Sequence, residues 1–223
     1  MISSEMEIIP DIPLVLDPTK VLAELRYGSV RAGFESLNGL FSLARALIQP
    51  RTVMEVAYIG AKRKETVDIT GVTFHSAVLR KNLEDANKVF PYIITLGPEL
   101  ERVAVVQGDL LKQYYLEEIA NIALEQAADW LAKHLEERYG VTNLSNMSPG
   151  SLEDWPITEQ AKLFSIFGDT EKLIGVRLTE SMLMVPRKSI SGILFPSEEG
   201  FVACQLCDRE HCQGRKAPYS GRQ

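Results

Sequence analysis

Hydrophobic and polar positions divide the chain into a series of short elements around one long one. Asp109 to Tyr139 contains no Gly or Pro and lies between Gly108 and Gly140. Within it Ala120, Ala123, Leu124, Ala127, Leu131 and Leu135 follow the three/four spacing of a helix face. This predicts a helix on the order of 45 Å long, whose small alanines let another element approach closely. Upstream, Asp17-Pro18 reads as an N-cap with proline at the first helical position, for a helix ending at Gly28. A second helix fits Gly33 to Ile48, stopped by Pro50. Val53 to Ile59 reads as a strand closed by Gly60, with Thr66 to Thr70 as its hairpin partner and Lys62-Arg63-Lys64 as a solvated turn. Ser76 caps a short helix running to Leu83. Val89 to Leu96 reads as a buried strand that Pro91 weakens or moves to a sheet edge, before Gly97-Pro98-Glu99 turns into a helix.

After Gly140 the pattern changes. Ser145 to Ser151 is a turn-rich loop, and Asp154-Trp155-Pro156 leads into a helix from Thr158 to Phe167. Leu178 to Val185 and Ile190 to Phe195 read as two strands joined by the tight basic link Pro186-Arg187-Lys188-Ser189. Helices and strands mix without a clean βαβ alternation, so the fold class is α+β. The domain expectation is one unit over residues 1–200 and a Cys-rich tail over 201–223.

Composition narrows the function classes. The 223 residues are 45% hydrophobic and 24% charged, an ordinary globular balance. The net charge of -6, from 24 basic and 30 acidic residues, argues against a general nucleic-acid binder. No apolar run reaches the roughly 20 residues that span a bilayer. Met1 to Pro13 has no basic residue to start a signal peptide, so a cytoplasmic location is expected, with neither nucleic acid nor membrane as partner. Gly-x-Gly-x-x-Gly, Walker and Gly-x-Ser-x-Gly motifs are absent. His75, His134 and His211 lie in unrelated contexts, and His134 reads as a surface or capping group.

The three cysteines fall within nine residues, Cys204-x2-Cys207-x4-Cys212. An odd, crowded set does not read as a secreted disulfide framework. It reads as a metal or redox site, or as free thiols in a loose tail. As a metal site, three thiolates leave one position open, for an iron–sulfur cluster or, alternatively, for zinc with His211 or an external ligand. A second polar cluster runs through Leu178-Thr179-Glu180-Ser181, Met184, Pro186, Ser189, Ser191 and Gly192. Its hydroxyls and carboxylate suit either a polar ligand or a capped hairpin.

This second cluster resembles the activation domain of vitamin B12-dependent methionine synthase, where a Leu-Thr-Glu-Ser stretch is followed by Met-x-Pro and Ser-x-Ser-Gly. Ser148-Pro149-Gly150, with Trp155-Pro156 and Gln160, resembles that family's Pro-Gly loop, and the helix from Asp109 resembles its long central helix. The cysteine tail, Cys204 to Tyr219, resembles the ending of stand-alone members. The resemblance implies an activation-domain-like α+β fold, with a long central helix and an antiparallel or mixed sheet. It also implies S-adenosylmethionine as ligand, and cobalamin supplied by a partner, either a cobalamin-binding domain or a corrinoid protein of a methyltransferase. The implied reaction is reductive reactivation, in which cob(II)alamin takes one electron from a donor protein and a methyl group from S-adenosylmethionine.

Asn146, Ser148, Pro149, Gly150, Glu180, Ser189 and Ser191 are the candidate ligand-binding residues, and Cys204, Cys207 and Cys212 the candidate metal ligands, with a cluster there expected to relay the electron. Two positions depart from the family pattern. Asn146 stands at an arginine position and Ser151 at a tyrosine position. Asn lacks the charged fork that holds a carboxylate, and Arg187 or Lys188 is the candidate to replace it. The alternative reading is a non-catalytic docking or assembly subunit for a corrinoid methyltransferase that does not bind S-adenosylmethionine.

Overall fold

The computed structural model describes residues 5–19, 34–106, 108–198, 200–212 and 215–221. Its centre is a seven-stranded antiparallel sheet. β1 (Glu5–Ile9) pairs with the first half of β2 (Arg51–Lys62), and β3 (Thr66–Ile69) pairs with its second half. From β4 (Val72–His75) the order runs β4-β3-β2-β5-β9-β6, with β5 at Lys88–Thr95, β6 at Leu144–Met147 and β9 at Ser189–Pro196. α1 (Phe34–Leu47), α2 (Ala77–Asn82) and α3 (Glu99–Val106) lie between these strands in sequence.

α4 spans Leu110–Tyr139 and is the predicted long helix. Asp109 Oδ1 accepts from the backbone N–H groups of Leu111 and Lys112, at 3.0 and 3.2 Å. These two donors would otherwise be orphans of the first turn. Gly140 closes the helix in the left-handed region, with φ of 62°, where a Cβ is penalised. The face predicted from sequence is the buried one: Ala120, Ala123, Ala127, Leu131 and Leu135 are at most 1% exposed.

The alternation of side chains along each strand gives the sheet two apolar faces. Met54, Phe90, Tyr92, Ile94 and Leu194 pack with α1 and α4. Val53, Ala57, Val89, Ile93, Ile193 and Phe195 point the other way, toward α2, α5 (Gln160–Phe167) and α6 (Thr170–Ile174). The sheet is therefore a middle layer between two helical layers.

Several expectations are corrected. β5 is a central strand, paired with both β2 and β9, despite Pro91. The ladder to β2 runs through Met54↔Tyr92 and Ala57↔Val89 and skips the Pro91 position, so the missing N–H is absorbed as a local gap. Ser145 to Met147 belongs to β6 and only Ser148 to Ser151 forms a turn. Leu178 to Val185 is not one strand. It is a miniature hairpin of β7 (Arg177–Leu178) and β8 (Met184–Val185) around a five-residue turn. β2 continues through Gly60 to Lys62, whose ammonium donates to the carbonyls of Glu84 and Ala86 and so is not simply solvated. β1, β4 and α6 were not foreseen. The helix expected to Tyr27 lies, beyond Thr19, outside the described residues. No helix among the described residues is long and apolar enough to cross a membrane.

Ala120, Ala123 and Ala127 of α4 are at most 1% exposed and pack within the main core. Ala127→Leu should cost about 1–3 kcal/mol of stability by overpacking, read from the midpoint of urea unfolding. A wild-type midpoint would contradict a helix packed this closely.

Candidate functional site

The strand register brings one polar group together. Tyr92 on β5 pairs with Gly192 on β9, and Asn146 on β6 pairs with Leu194. Tyr92, Gly192 and Asn146 therefore share the α4 face of the sheet. The Tyr92 hydroxyl donates to Asn146 Oδ1 at 3.2 Å, and Ser148 lies within hydrogen-bonding reach of the same phenol. Gly192 makes this crowding feasible. A Cβ there would stand 2.7 Å from Asn146 Oδ1, 2.8 Å from the Met147 carbonyl oxygen and 2.8 Å from Ser148 Oγ. Burial raises the Tyr92 phenol well above its ordinary value, and the contacts with Asn146 and Ser148 offset this only in part. Tyr92 was missed in the sequence because it sits in an aliphatic strand. Its hydroxyl in that buried run was the only signal.

The Pro-Gly turn follows directly. Pro149 is buried, and Gly150 adopts φ of 84°, a region that favours glycine. The Gly150 N–H donates to the Trp155 carbonyl at 2.7 Å, and a Cβ on Gly150 would collide with Ile157. Ser151 closes the turn by donating its N–H and its hydroxyl to the Ser148 carbonyl, at 3.1 and 2.6 Å. Trp155 beneath it is fully buried against Phe74, edge to face at 6.0 Å. The loop is thus fixed before any ligand arrives.

The other candidates fall elsewhere. Ser189 and Ser191 lie on the opposite face of β9 from Gly192 and are each 5% exposed. The Ser189 hydroxyl donates to the Pro186 carbonyl at 2.8 Å and lies 2.9 Å from Thr95 Oγ1, so it locks the link to β9. Glu180 sits exposed in the β7–β8 turn and forms no ion pair or hydrogen bond among the described residues. That turn is held by Thr179 and by Gln160, whose Nε2 donates to the Met182 carbonyl at 3.2 Å. Asn146 and Ser148 therefore converge with Tyr92, Glu180 stands exposed on the β7–β8 turn, and Ser189 and Ser191 are buried.

Arg187 and Lys188 are engaged away from this group. Arg187 Nε and Nη2 reach Glu101 and Glu117 at 2.7 and 2.8 Å, while Lys188 Nζ reaches Glu117 at 2.6 Å and Asn121 at 2.7 Å. Partial burial works against the Glu117 carboxylate, yet these cations hold it below its ordinary range. Neither residue supplies the charged fork missing at Asn146.

Among the described residues, no group of three or more His, Cys, Asp and Glu side chains is placed to hold a metal ion. Cys204, Cys207 and Cys212 are all half-buried free thiols. They do not form the expected three-thiolate centre. A broad cleft of about 980 Å³ opens at the far end of the sheet, lined in part by Lys81, Lys88, Asn143, Ser197, Phe201 and Gln205. None of the candidate residues lines it.

Two outcomes test the Tyr92 cluster. Gly192→Ala should lose roughly 1–3 kcal/mol of stability, since the Met147 carbonyl cannot rotate away as a side chain can. The raised Tyr92 phenol makes stability full below a free tyrosine's ordinary ionisation and decreasing as pH climbs toward the folded-state value. Tyr92→Phe should therefore flatten the alkaline limb of a stability–pH curve, measured by urea unfolding. An unchanged alkaline limb would contradict a buried, proton-holding phenol.

Residues 148–214, from the Pro-Gly turn into the cysteine tail, match the family model described as the vitamin B12 dependent methionine synthase activation domain. No curated protein matches the chain in sequence. Among solved structures, the crystal structure of the MetH reactivation domain bound to AdoHcy superposes with a TM-score of 0.65 at 17% identity, covering 91% of this chain and 82% of that one. The chain thus resembles the methionine synthase activation domain in sequence over the segment that builds the Pro-Gly turn, β7–β9 and the start of the tail, and it shares the fold of the MetH reactivation domain along nearly its whole length.

Proposed function

We propose that this protein takes part in the reductive reactivation of a cobalamin protein, presenting S-adenosylmethionine to a cobalt carried by a partner. The observation that carries this reading is the rigid Pro-Gly turn at Ser148–Ser151 beside the Tyr92–Asn146 contact, within the segment that matches the activation-domain family. The fold shared with a reactivation domain bound to AdoHcy supports it.

The residues suit one half of the ligand better than the other. Glu180 is an unengaged carboxylate for an amine or a ribose hydroxyl, and Asn146 and Ser148 offer neutral hydrogen bonds. Arg187 and Lys188 are not available for the ligand's carboxylate, because Glu101 and Glu117 hold them. Binding would rest on backbone and neutral donors, and would be weaker than a bidentate arginine provides. The bound ligand would supply an electrophilic methyl group. The chain would fix its position and limit water at the reacting face, converting an encounter into an oriented transfer. Cobalamin and the electron would come from a partner and a donor protein.

A second reading is a docking or assembly subunit without S-adenosylmethionine binding. The Asn146 side chain, turned onto Tyr92, together with the engaged cations, is the observation that favours it.

Reconstitution separates the two. A cobalamin methyltransferase inactivated to cob(II)alamin should regain its methylcobalamin spectrum when given this protein, S-adenosylmethionine and a one-electron reductant. Glu180→Gln should weaken S-adenosylmethionine about tenfold, the loss of one charged hydrogen bond, read by calorimetry. Co-elution with the corrinoid protein, with neither ligand binding nor methyl return, would replace the first reading with the second.

A further inference from the structure

Cys204 and Cys207, two of the three cysteines of the tail, are joined by a tight backbone turn. Ala203–Gln205 is a turn of 3₁₀ helix, extended by the Leu206 N–H donating to the Ala203 carbonyl at 3.1 Å and the Cys207 N–H to the Cys204 carbonyl at 3.4 Å. Side chains at i and i+3 of a 3₁₀ helix eclipse, and three residues advance about 6 Å. The Cys207 N–H to Cys204 carbonyl bond closes a four-residue turn, and such a turn keeps its first and last Cα atoms within about 7 Å, close to the roughly 4.4–6.8 Å that a disulfide bridges.

The turn is held by groups other than the sulfurs. The Arg215 guanidinium donates to the carbonyls of Cys204 at 2.9 Å, Cys207 at 3.1 Å and Ala217 at 3.3 Å, and also to that of Arg209. The Ser220 N–H donates to the Gln205 carbonyl at 2.9 Å. Ala203 and Leu206 rest on the core that contains Trp155 and Phe195. One sulfur is distinguished from the other, for the Lys216 backbone N–H points at Cys204 Sγ, 3.4 Å away. A donor on sulfur strengthens as negative charge collects there during displacement.

We propose that Cys204 and Cys207 are a redox-active dithiol that exchanges with disulfides, with Cys204 attacking, Cys207 resolving and Cys212 outside the exchange. Cys204 sulfur displaces one sulfur of a disulfide RSSR, giving a mixed disulfide and one RSH. Cys207 sulfur then displaces the second, forming the Cys204–Cys207 bond and another RSH. The two protons leave the cysteines and end on the two released thiols. RSSR gains the two electrons that the pair gives up. This inference does not rest on the reactivation reading.

The test equilibrates the full chain in glutathione buffers of increasing oxidised fraction under anaerobic conditions, then alkylates, digests with trypsin and weighs the peptides. Cleavage after Arg209 leaves Cys204 and Cys207 on one peptide and Cys212 on the next. The first peptide should pass from doubly alkylated to unalkylated in one step, while Cys212 stays alkylated. Cys207→Ser should trap one glutathione on Cys204, and Cys204→Ser should slow glutathione capture at Cys207 about tenfold. Three outcomes would overturn the proposal. These are a disulfide that includes Cys212, full alkylation of all three cysteines in the most oxidising buffer, or one equivalent of zinc or iron released from the native chain on alkylation.

Discussion

The packing of one alanine-faced helix against an antiparallel sheet sets the geometry of everything else. Ala120, Ala123 and Ala127 let α4 lie close to β5 and β9. Dense packing then fixes those strands, because interiors of this density deform little. With β9 fixed, Gly192 marks a gap on the helix-facing side. Asn146, Met147 and Ser148 fill it, and the Tyr92 hydroxyl meets them from β5. The Pro-Gly turn takes its place from that crossing, so the candidate ligand surface follows from the packing of the helix.

Period and punctuation made much of this legible. The spacing of α4 was unambiguous because thirty residues without Gly or Pro, bounded by an Asp cap and a Gly stop, leave few alternatives. The Ser76 cap was equally local: its hydroxyl accepts from the Leu79 N–H at 2.9 Å. Pro91 misled because the cost of proline in a strand depends on whether its missing N–H faces a ladder bond, which only the register reveals. β6 was hidden because Leu144–Met147 owes its strand state to pairing with β9 and not to β propensity, since Ser and Asn are poor strand formers.

Site residues were readable as types but not as directions. Asn146 and Ser148 fell beside each other on the surface, whereas Ser189 and Ser191 turned to the opposite face, since a strand reverses sides at every residue. Arg187 or Lys188 was expected to replace the charged fork missing at Asn146. The acidic groups of α3 and α4 claim them, and a single sequence does not reveal that pairing. The tail shows the same limit. Three close cysteines suggested one centre, but the local backbone is set by turn hydrogen bonds and by Arg215, whose donors reach the carbonyls of Cys204, Cys207 and Cys212, and no three-ligand group results among the described residues.

The central claim is that an adenosyl sulfonium ligand sits over the β6–β9 crossing. A crystal structure of the protein with S-adenosylmethionine tests it most directly. The account predicts ligand density against Asn146, Ser148 and the Pro-Gly turn, with Glu180 reaching an amine or a hydroxyl. Density in the wide cleft beside Lys88 and Asn143, with the β6–β9 crossing bare, would contradict it.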